Sequence, residues 1–309
     1  VARSTRHGSA PETPLSSAPA RVVASFGRQF LVMRADGSVA GAVRRGKRGD
    51  VAVGDHVEVS GAQEPLVIES IAPRASLLFR ADEQRTKEMA ANIDQVLVVY
   101  APQPTYSETF VWRALVAAHC ARIDAAVVLN KSDLVPTHPA AEHTRAQLAD
   151  LGYRTLAVTA KRDPDAAREA LSDVLRGRAT LLVGQSGMGK STLLNLLAPA
   201  AAARTQEYSI KLNLGRQTTT ASRWFELPEA GGGGAVVDSP GFQAFGLSHL
   251  GAADIAEALV DFVPHLGGCR FIDCRHLSEP GCAIVAAVER DHVAASRYAF
   301  YRELVSVTP

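Results

Sequence analysis

Five apolar, strand-like runs, QVLVVYA, DAAVVLN, TLAVTA, ATLLVG and AVVDSPG, alternate between about Ala91 and Gly241 with helical stretches such as AAEHTRAQLADLG and PDAAREALSDVLRG. This alternation limits the fold more than any other feature. Strands that take turns with helices predict a doubly wound parallel sheet, and each helical stretch quoted ends on a Gly suited to a helix C-terminus. In such sheets the loops at the carboxyl ends of the strands line the ligand crevice. The motifs that carry phosphate and base chemistry all fall on those loops.

The flanks read differently. Up to about Ala20 the chain is rich in Ser, Pro and Ala with few large apolar groups, so residues 1–20 are expected to be a disordered tail. From Arg21 to about Ser76, short runs such as VVASF, QFLVMRA, DHVEVSG and LVIESIA are separated by Gly or Asp turns, which predicts about five strands. Five short strands must close to remove their edges; an OB-fold is the leading candidate and an SH3-like barrel is nearly as compatible. After about Leu247 the apolar pattern turns helical and is broken by a Cys and His cluster. The expected division is a tail (1–20), an OB-fold domain (21–78), a central α/β domain (79–247) and a mainly helical C-terminal domain (248–309). A chain of 309 residues fits two or three domains of about 100 to 200 residues each.

Lys plus Arg number 33 against 32 Asp plus Glu, so net charge announces no nucleic-acid partner and any such surface must be local. No apolar run approaches the roughly 18 to 20 residues that cross a bilayer, and the first residues lack the apolar middle of a signal peptide. A cytoplasmic protein without membrane contact is expected. Nothing in the pattern suggests an obligate dimer, so a monomer is the expectation.

GQSGMGKST follows an apolar strand and precedes TLLNLL, with Gly184, Gly189, Lys190 and Ser191 at Walker A spacing. Such a loop, here Gly184, Gln185, Ser186, Gly187, Met188 and Gly189 through Thr192, closes its backbone N–H groups around phosphate oxygens at a helix N-terminus. Lys190 would bridge the terminal phosphates and the Ser191 hydroxyl would ligate magnesium. NKSD, Asn130 to Asp133, follows another strand. Asp133 would accept from guanine N1 and N2, whereas adenine presents an acceptor at N1 and is rejected. Asn130 would brace the loop and Lys131 would lie along the base. TAK, Thr159 to Lys161, fits the last base-contacting loop, with the Ala160 N–H facing the guanine oxygen. Asp238, in VVDSPG, is suited to hold magnesium through water, and the Gly241 N–H to meet the terminal phosphate. GRQTTT, Gly215 to Thr220, offers hydroxyls to the same metal, with Thr219 the favoured ligand.

In Ras-like GTPases the phosphate loop comes first and NKxD late; here Asn130 precedes Gly184 by more than fifty residues. The two can share a site only if the domain has been cut and rejoined in another order, which termini and surface connections tolerate. The segment after DSPG then leads directly into the C-terminal domain, so hydrolysis is expected to reposition that domain.

Cys269, Cys274, His276 and Cys282 form C-x4-C-x-H-x5-C. In a reducing compartment three thiolates and one imidazole suggest a closed tetrahedral shell for one structural zinc rather than a disulfide framework. Cys120, in ALVAAHCARID, reads as a buried small hydrophobe. RRGKRGD puts Arg44, Arg45, Lys47 and Arg48 on one barrel loop. With Lys211, Arg216 and Arg223 near the switch, this is a candidate discontinuous RNA surface, a solvated loop being the plainer reading.

Taken together, NIDQV, NKSD, GQSGMGKST, LNLGRQTTT, DSPGF, the Cys and His cluster with EPGC, and RYAFY make the chain from Arg21 to Leu304 resemble the ribosome small subunit-dependent GTPases. These are the RsgA (YjeQ) family of circularly permuted GTPases. The resemblance implies an N-terminal OB-fold, a permuted GTPase domain and a C-terminal zinc domain. It also implies magnesium-dependent hydrolysis of GTP to GDP and phosphate, stimulated by the small ribosomal subunit, and contact with its rRNA, during late maturation. The rival reading is a nucleotide-gated RNA-binding module, or a GTPase acting on a non-ribosomal partner. After DSPG, where many GTPases carry a water-orienting Gln, this chain has Phe242, which cannot polarise water. The family usually places His in its GRHTTT loop where this chain has Gln217. A Gln amide can accept from water and donate to phosphate, so Gln217 stands beside Lys190 and Thr219 as a candidate catalytic residue, with Gln243 a weaker one.

Overall fold

The computed structural model describes residues 17–44, 51–82, 85–201, 222–228, 232–239, 245 and 247–306. Strands β1 (Ala18–Phe26), β2 (Gln29–Arg34), β3 (Val39–Arg44), β4 (His56–Ser60) and β5 (Leu66–Ile71) follow in chain order. They pair as β1-β2-β3-β5-β4, and β4 returns antiparallel onto β1 to close the barrel. The pair β3–β5 is parallel. A closed five-strand barrel in this order is an OB-fold, which decides against the SH3-like alternative. Its core is built from alternate residues such as Val22, Val32, Val57, Val59 and Ile68. Val23, one position along β1, points to the opposite face and into the larger core of the molecule. One strand thereby serves two cores. β1 begins at Ala18, so the last residues of the expected tail are strand; residues 1–16 lie outside those described.

A hairpin of β6 (Leu77–Asp82) and β7 (Arg85–Ala91) straddles the expected boundary at residue 78 and was not legible in the sequence. A charged cluster ties it to the barrel. Arg74 Nε donates to Asp55 Oδ1 at 2.7 Å, and Arg74 Nη1 reaches Glu88 Oε1 at 3.1 Å. The other Asp55 oxygen accepts from Ala52 N at 2.8 Å, so this fully buried carboxylate has its lone pairs satisfied. Removing one partner of such a pair costs about 3–5 kcal/mol, because the other charge is left buried alone.

The central unit runs β8 (Gln95–Tyr100), α1 (Glu108–Cys120), β9 (Asp124–Asn130), α2 (Ala140–Asp150), β10 (Arg154–Val158), α3 (Pro164–Leu175), β11 (Ala179–Val183), α4 (Lys190–Leu197), β12 (Arg223–Glu226) and β13 (Ala235–Asp238). The strands pair in the order β10-β9-β8-β11-β13, all parallel, with β12 antiparallel on β13. All six residues of β8 are buried, as a strand covered on both faces requires. α3 starts where the Asp163 side chain accepts from Ala166 N at 3.2 Å, with Pro164 in the first turn. It is followed by Gly177 at φ +64°, the left-handed turn a helix end favours.

β12 also pairs with β1, at Ala24 opposite Arg223, which fuses barrel and central sheet into one eleven-stranded sheet. Arg223 is consequently only 8% exposed, its guanidinium over the Phe26 ring. It belongs to the sheet seam and not to an RNA-facing surface, which corrects the sequence reading.

Among the described residues the C-terminal region carries helices α5 (Ala252–Glu257), α6 (Ala283–Glu289) and α7 (Ala295–Ser306), with a short 3-10 turn at Val263–His265. α7 sits on α1: the Arg297 guanidinium lies 3.9 Å from the Trp112 ring centroid while pairing with Asp261 at 2.8 Å. Arg113 and Glu303 bridge the same helices at 3.0 Å. Among the described residues no helix is long and apolar enough to cross a membrane.

Candidate functional site

The phosphate-loop sequence joins β11 to α4, and its glycines are required by contact. A Cβ on Gly189, at φ +96°, would collide with the Asn130 side-chain amide; one on Gly184 would collide with the Val99 carbonyl oxygen. Lys190 Nζ folds back to donate to the carbonyl oxygens of Gly184, at 2.5 Å, and Gln185, at 3.0 Å. Burial lowers the pKa of that ammonium, with Asp238 acting against the shift. Burial likewise raises the Asp238 carboxyl, with Lys190 and Arg223 opposing. A phosphate beside Lys190 and a divalent cation beside Asp238 would each favour the charged form.

β9 and β10 deliver the base-reading motifs to the same edge. Asn130, 2% exposed, donates from Nδ2 to the Met188 carbonyl at 3.0 Å and accepts from Ala160 N at 3.3 Å. One side chain therefore clasps the phosphate loop and the TAK loop together. Lys131, at φ +56°, sends Nζ to the carbonyls of Gln103 and Gly187, both at 2.8 Å. Ser132 and Thr159 share a hydroxyl hydrogen bond of 2.9 Å, locking the two base loops edge to edge. Asp133 is exposed in the short 3-10 helix Ser132–Thr137. Asn130, Lys131, Asp133, Ala160, Gly189 and Thr192 all line one cavity of about 390 Å³, with Lys161 and Arg162 at its side. Ser186, Ser191 and Thr192 are exposed at the loop and the first turn of α4. Gln217, Thr219, Gly241, Phe242, Gln243, Lys211, Arg216, Arg45, Lys47 and Arg48 lie outside the described residues.

Sequence reasoning missed the loop 101–107 after β8. Pro104 stands where a Cβ on Gly187 would be, and Ser107 N donates to Gln185 Oε1 at 2.7 Å. The signal was available, since this loop also leaves the carboxyl end of a parallel strand.

The second cluster is local. Cys269, Cys274, His276 and Cys282 bring one ligand atom each to within 4.8 Å of one another. His276 Nδ1 is 3.4 Å from Cys269 Sγ and 3.5 Å from Cys282 Sγ, and those two sulfurs are 4.0 Å apart. Bonds of about 2.3 Å to sulfur and about 2.0 Å to nitrogen put tetrahedral ligands roughly 3.5–3.8 Å apart, so the set can hold one zinc. Burial lowers the His276 pKa and favours the neutral, ligating imidazole; burial together with the neighbouring thiols pushes Cys274 up to about 12. A metal must displace those protons. Around the ligands, Tyr298 OH donates to the carbonyls of His276 and Leu277, both at 2.9 Å, and Tyr301 OH to that of Arg275 at 2.7 Å. Glu279 accepts from the backbone of Arg275, Leu277 and Ser278. Desolvation raises its carboxyl, yet these donors prevail and hold it at about 2. Cys120 stands apart, half-buried, its thiol pushed up to about 11 by burial.

Residues 71–248 match the family model described as RsgA GTPase. The chain belongs to the RsgA GTPase family. Two relatives, from Paraburkholderia phytofirmans and Bordetella pertussis, are each described as small ribosomal subunit biogenesis GTPase RsgA. The first is 45% identical over 307 residues, covering 96% of this chain and 97% of the relative. The second is also 45% identical, covering 92% and 94%. Among solved structures, YjeQ from Thermotoga maritima aligns with a TM-score of 0.68 and 25% identity over 94% of this chain and 99% of its own. The circularly permuted GTPase YloQ aligns at 0.65 and 22% over 98% of both, a likeness of fold. Membership makes the chain a GTP hydrolase with GTP as substrate and magnesium as cofactor.

Proposed function

We propose that this GTPase acts in biogenesis of the small ribosomal subunit, binding that subunit and its rRNA in one nucleotide state and leaving in the other. The name its relatives carry supports this reading. The observation that carries the site assignment is the pair of hydrogen bonds made by the Asn130 side chain, which draws the NKSD, TAK and phosphate loops onto one cavity despite their reversed order in the chain.

Asp133 selects guanine, Lys131 lies along the base, and the Ala160 N–H faces the guanine oxygen. Backbone N–H groups from Gly184 to Thr192 and the Gly241 N–H hold phosphates, and Lys190 neutralises the terminal one. Ser191 and Thr219 would hold magnesium, with Asp238 supporting them, and a bound ion would supply charge neutralisation at the phosphate oxygens. Gln217 orients the attacking water, and Lys190 and Thr219 complete the catalytic set. Cys269, Cys274, His276 and Cys282 hold one structural zinc, leaving no place for substrate. The protein works as a cytoplasmic monomer divided into an OB-fold domain, a permuted GTPase domain and a zinc domain.

The test is GTP turnover by the protein alone and with purified small or large subunits at low and high salt. Strong acceleration by the small subunit only, weakening steeply with salt as phosphate contacts require, is the expected result. No acceleration by either subunit with GTP still bound would overturn it in favour of a switch with a non-ribosomal partner. Tight rRNA binding without acceleration would point to the passive RNA-binding module.

A further inference from the structure

Helix α1 touches three parts of the molecule that nucleotide chemistry should move differently. At its start, Ser107 caps the helix by accepting from Phe110 N, and the Ser107 N–H is held by Gln185 of the phosphate loop at 2.7 Å. One turn on, Phe110 packs against Phe245, which follows DSPG, with ring centroids 5.7 Å apart. Trp112 and Arg113 then carry the C-terminal region through Arg297 and Glu303. Only five residues, about 7 Å of helix axis, separate the Gln185 contact from the Arg297 contact.

We infer that Gln185 is a positioning residue whose side chain ties the phosphate loop to the N-terminus of α1, coupling nucleotide occupancy to the seating of the C-terminal region on that helix. The backbone of Gln185 must face phosphate, and its carbonyl already accepts from Lys190. Its side chain points away from that work and accepts from another element, so any shift of the loop on binding is felt at Ser107. A helix moves as a unit, so a displacement there reaches Trp112 within one and a half turns. Zinc-loop carbonyls are bonded by Tyr298 and Tyr301 of the helix that bears Arg297, so the path continues to the Cys and His cluster. Coupling of this kind is reciprocal: loosening α7 from α1 must weaken nucleotide binding by the factor by which nucleotide tightens α7.

The inference rests on the phosphate loop holding the nucleotide, and the experiment separates the two. Equilibrium binding of a fluorescent GDP is measured for the full chain, Gln185→Ala, Trp112→Leu and the double variant. Trp112→Leu removes the ring under Arg297 but leaves the Arg297–Asp261 pair. Loss of one part-buried hydrogen bond should weaken GDP about five-fold in Gln185→Ala. Trp112→Leu, remote from the nucleotide, should weaken it about two- to three-fold, and the double variant by no more than the larger single loss, since both cut one linkage. Hydrogen exchange supplies a readout that survives any folding defect of Trp112→Leu: GDP should slow α7 amides in the wild type and not in Gln185→Ala. Losses that multiply in the double variant, an unchanged affinity in Trp112→Leu, or equal slowing of α7 in wild type and Gln185→Ala would overturn the coupling. No GDP binding by the wild type would remove the nucleotide reading itself, and this inference with it.

Discussion

The nucleotide cavity and the Cys and His cluster solve the same problem, holding charged ligands in fixed geometry, with opposite use of the chain. The cluster draws its ligands from fourteen consecutive positions, Cys269 to Cys282. The cavity draws its walls from loops between residues 130 and 192, and its key bonds join residues 30 and 58 positions apart. In the first case local sequence builds the site and α7 steadies it. In the second a parallel sheet builds it, because every strand presents its carboxyl end to one edge. A site built from an edge is indifferent to the order in which the chain visits the strands. That is why the NKSD loop can precede the phosphate loop without loss of the cavity.

The contrast predicts how each region breaks. The largest effect belongs to the local cluster: Cys282→Ser should lose the bound metal, worth about 10–16 kcal/mol in structural zinc sites, and with it the order of the C-terminal region. Metal analysis should fall from one zinc per chain to none, and proteolysis should cut after residue 248 while the central sheet survives. Lys190→Ala should leave the fold intact and lower kcat about 10²- to 10³-fold, the usual cost of removing one charge-stabilising group, in a single-turnover assay. Asn130→Ala strands the Met188 carbonyl and the Ala160 N–H, at about 1–3 kcal/mol. GDP affinity should fall roughly 5- to 150-fold with kcat at saturation much less affected. Tyr298→Phe is the smallest, since two carbonyls lose one shared donor worth about 1 kcal/mol. It should show as zinc lost a few-fold faster to a chelator, with GDP affinity nearly unchanged.

Legibility in the sequence followed the same divide. Strand runs, the barrel and the cysteine spacing are local patterns, and each could be read from a short window. The phosphate loop and NKSD could be read because their chemistry fixes residue types at fixed spacing. What escaped depended on contacts between distant segments. Arg223 reads as a surface cation in any window, and only the pairing of its strand with both β13 and β1 buries it. The β6–β7 hairpin carries many charged residues and no tight-turn signature, so no strand was assigned to it. The stretch 101–107 carries no recognisable motif, yet Ser107 and Pro104 press on the phosphate loop. RYAFY stood out only as a motif; its work on the zinc-loop carbonyls needed α7 in place.

The central claim is that the reordered motifs form a single guanine-reading site, and competition between nucleotides tests it most directly. GDP, ADP and xanthosine diphosphate should be titrated against a fluorescent GDP bound to the wild type and to Asp133→Asn. With Asp133 accepting from guanine N1 and N2, GDP should outcompete ADP by about 10⁴-fold in the wild type. Asp133→Asn should shift preference to the xanthine nucleotide, whose C2 carbonyl can accept from the new amide. Equal competition by GDP and ADP, or a preference untouched by Asp133→Asn, would contradict the account.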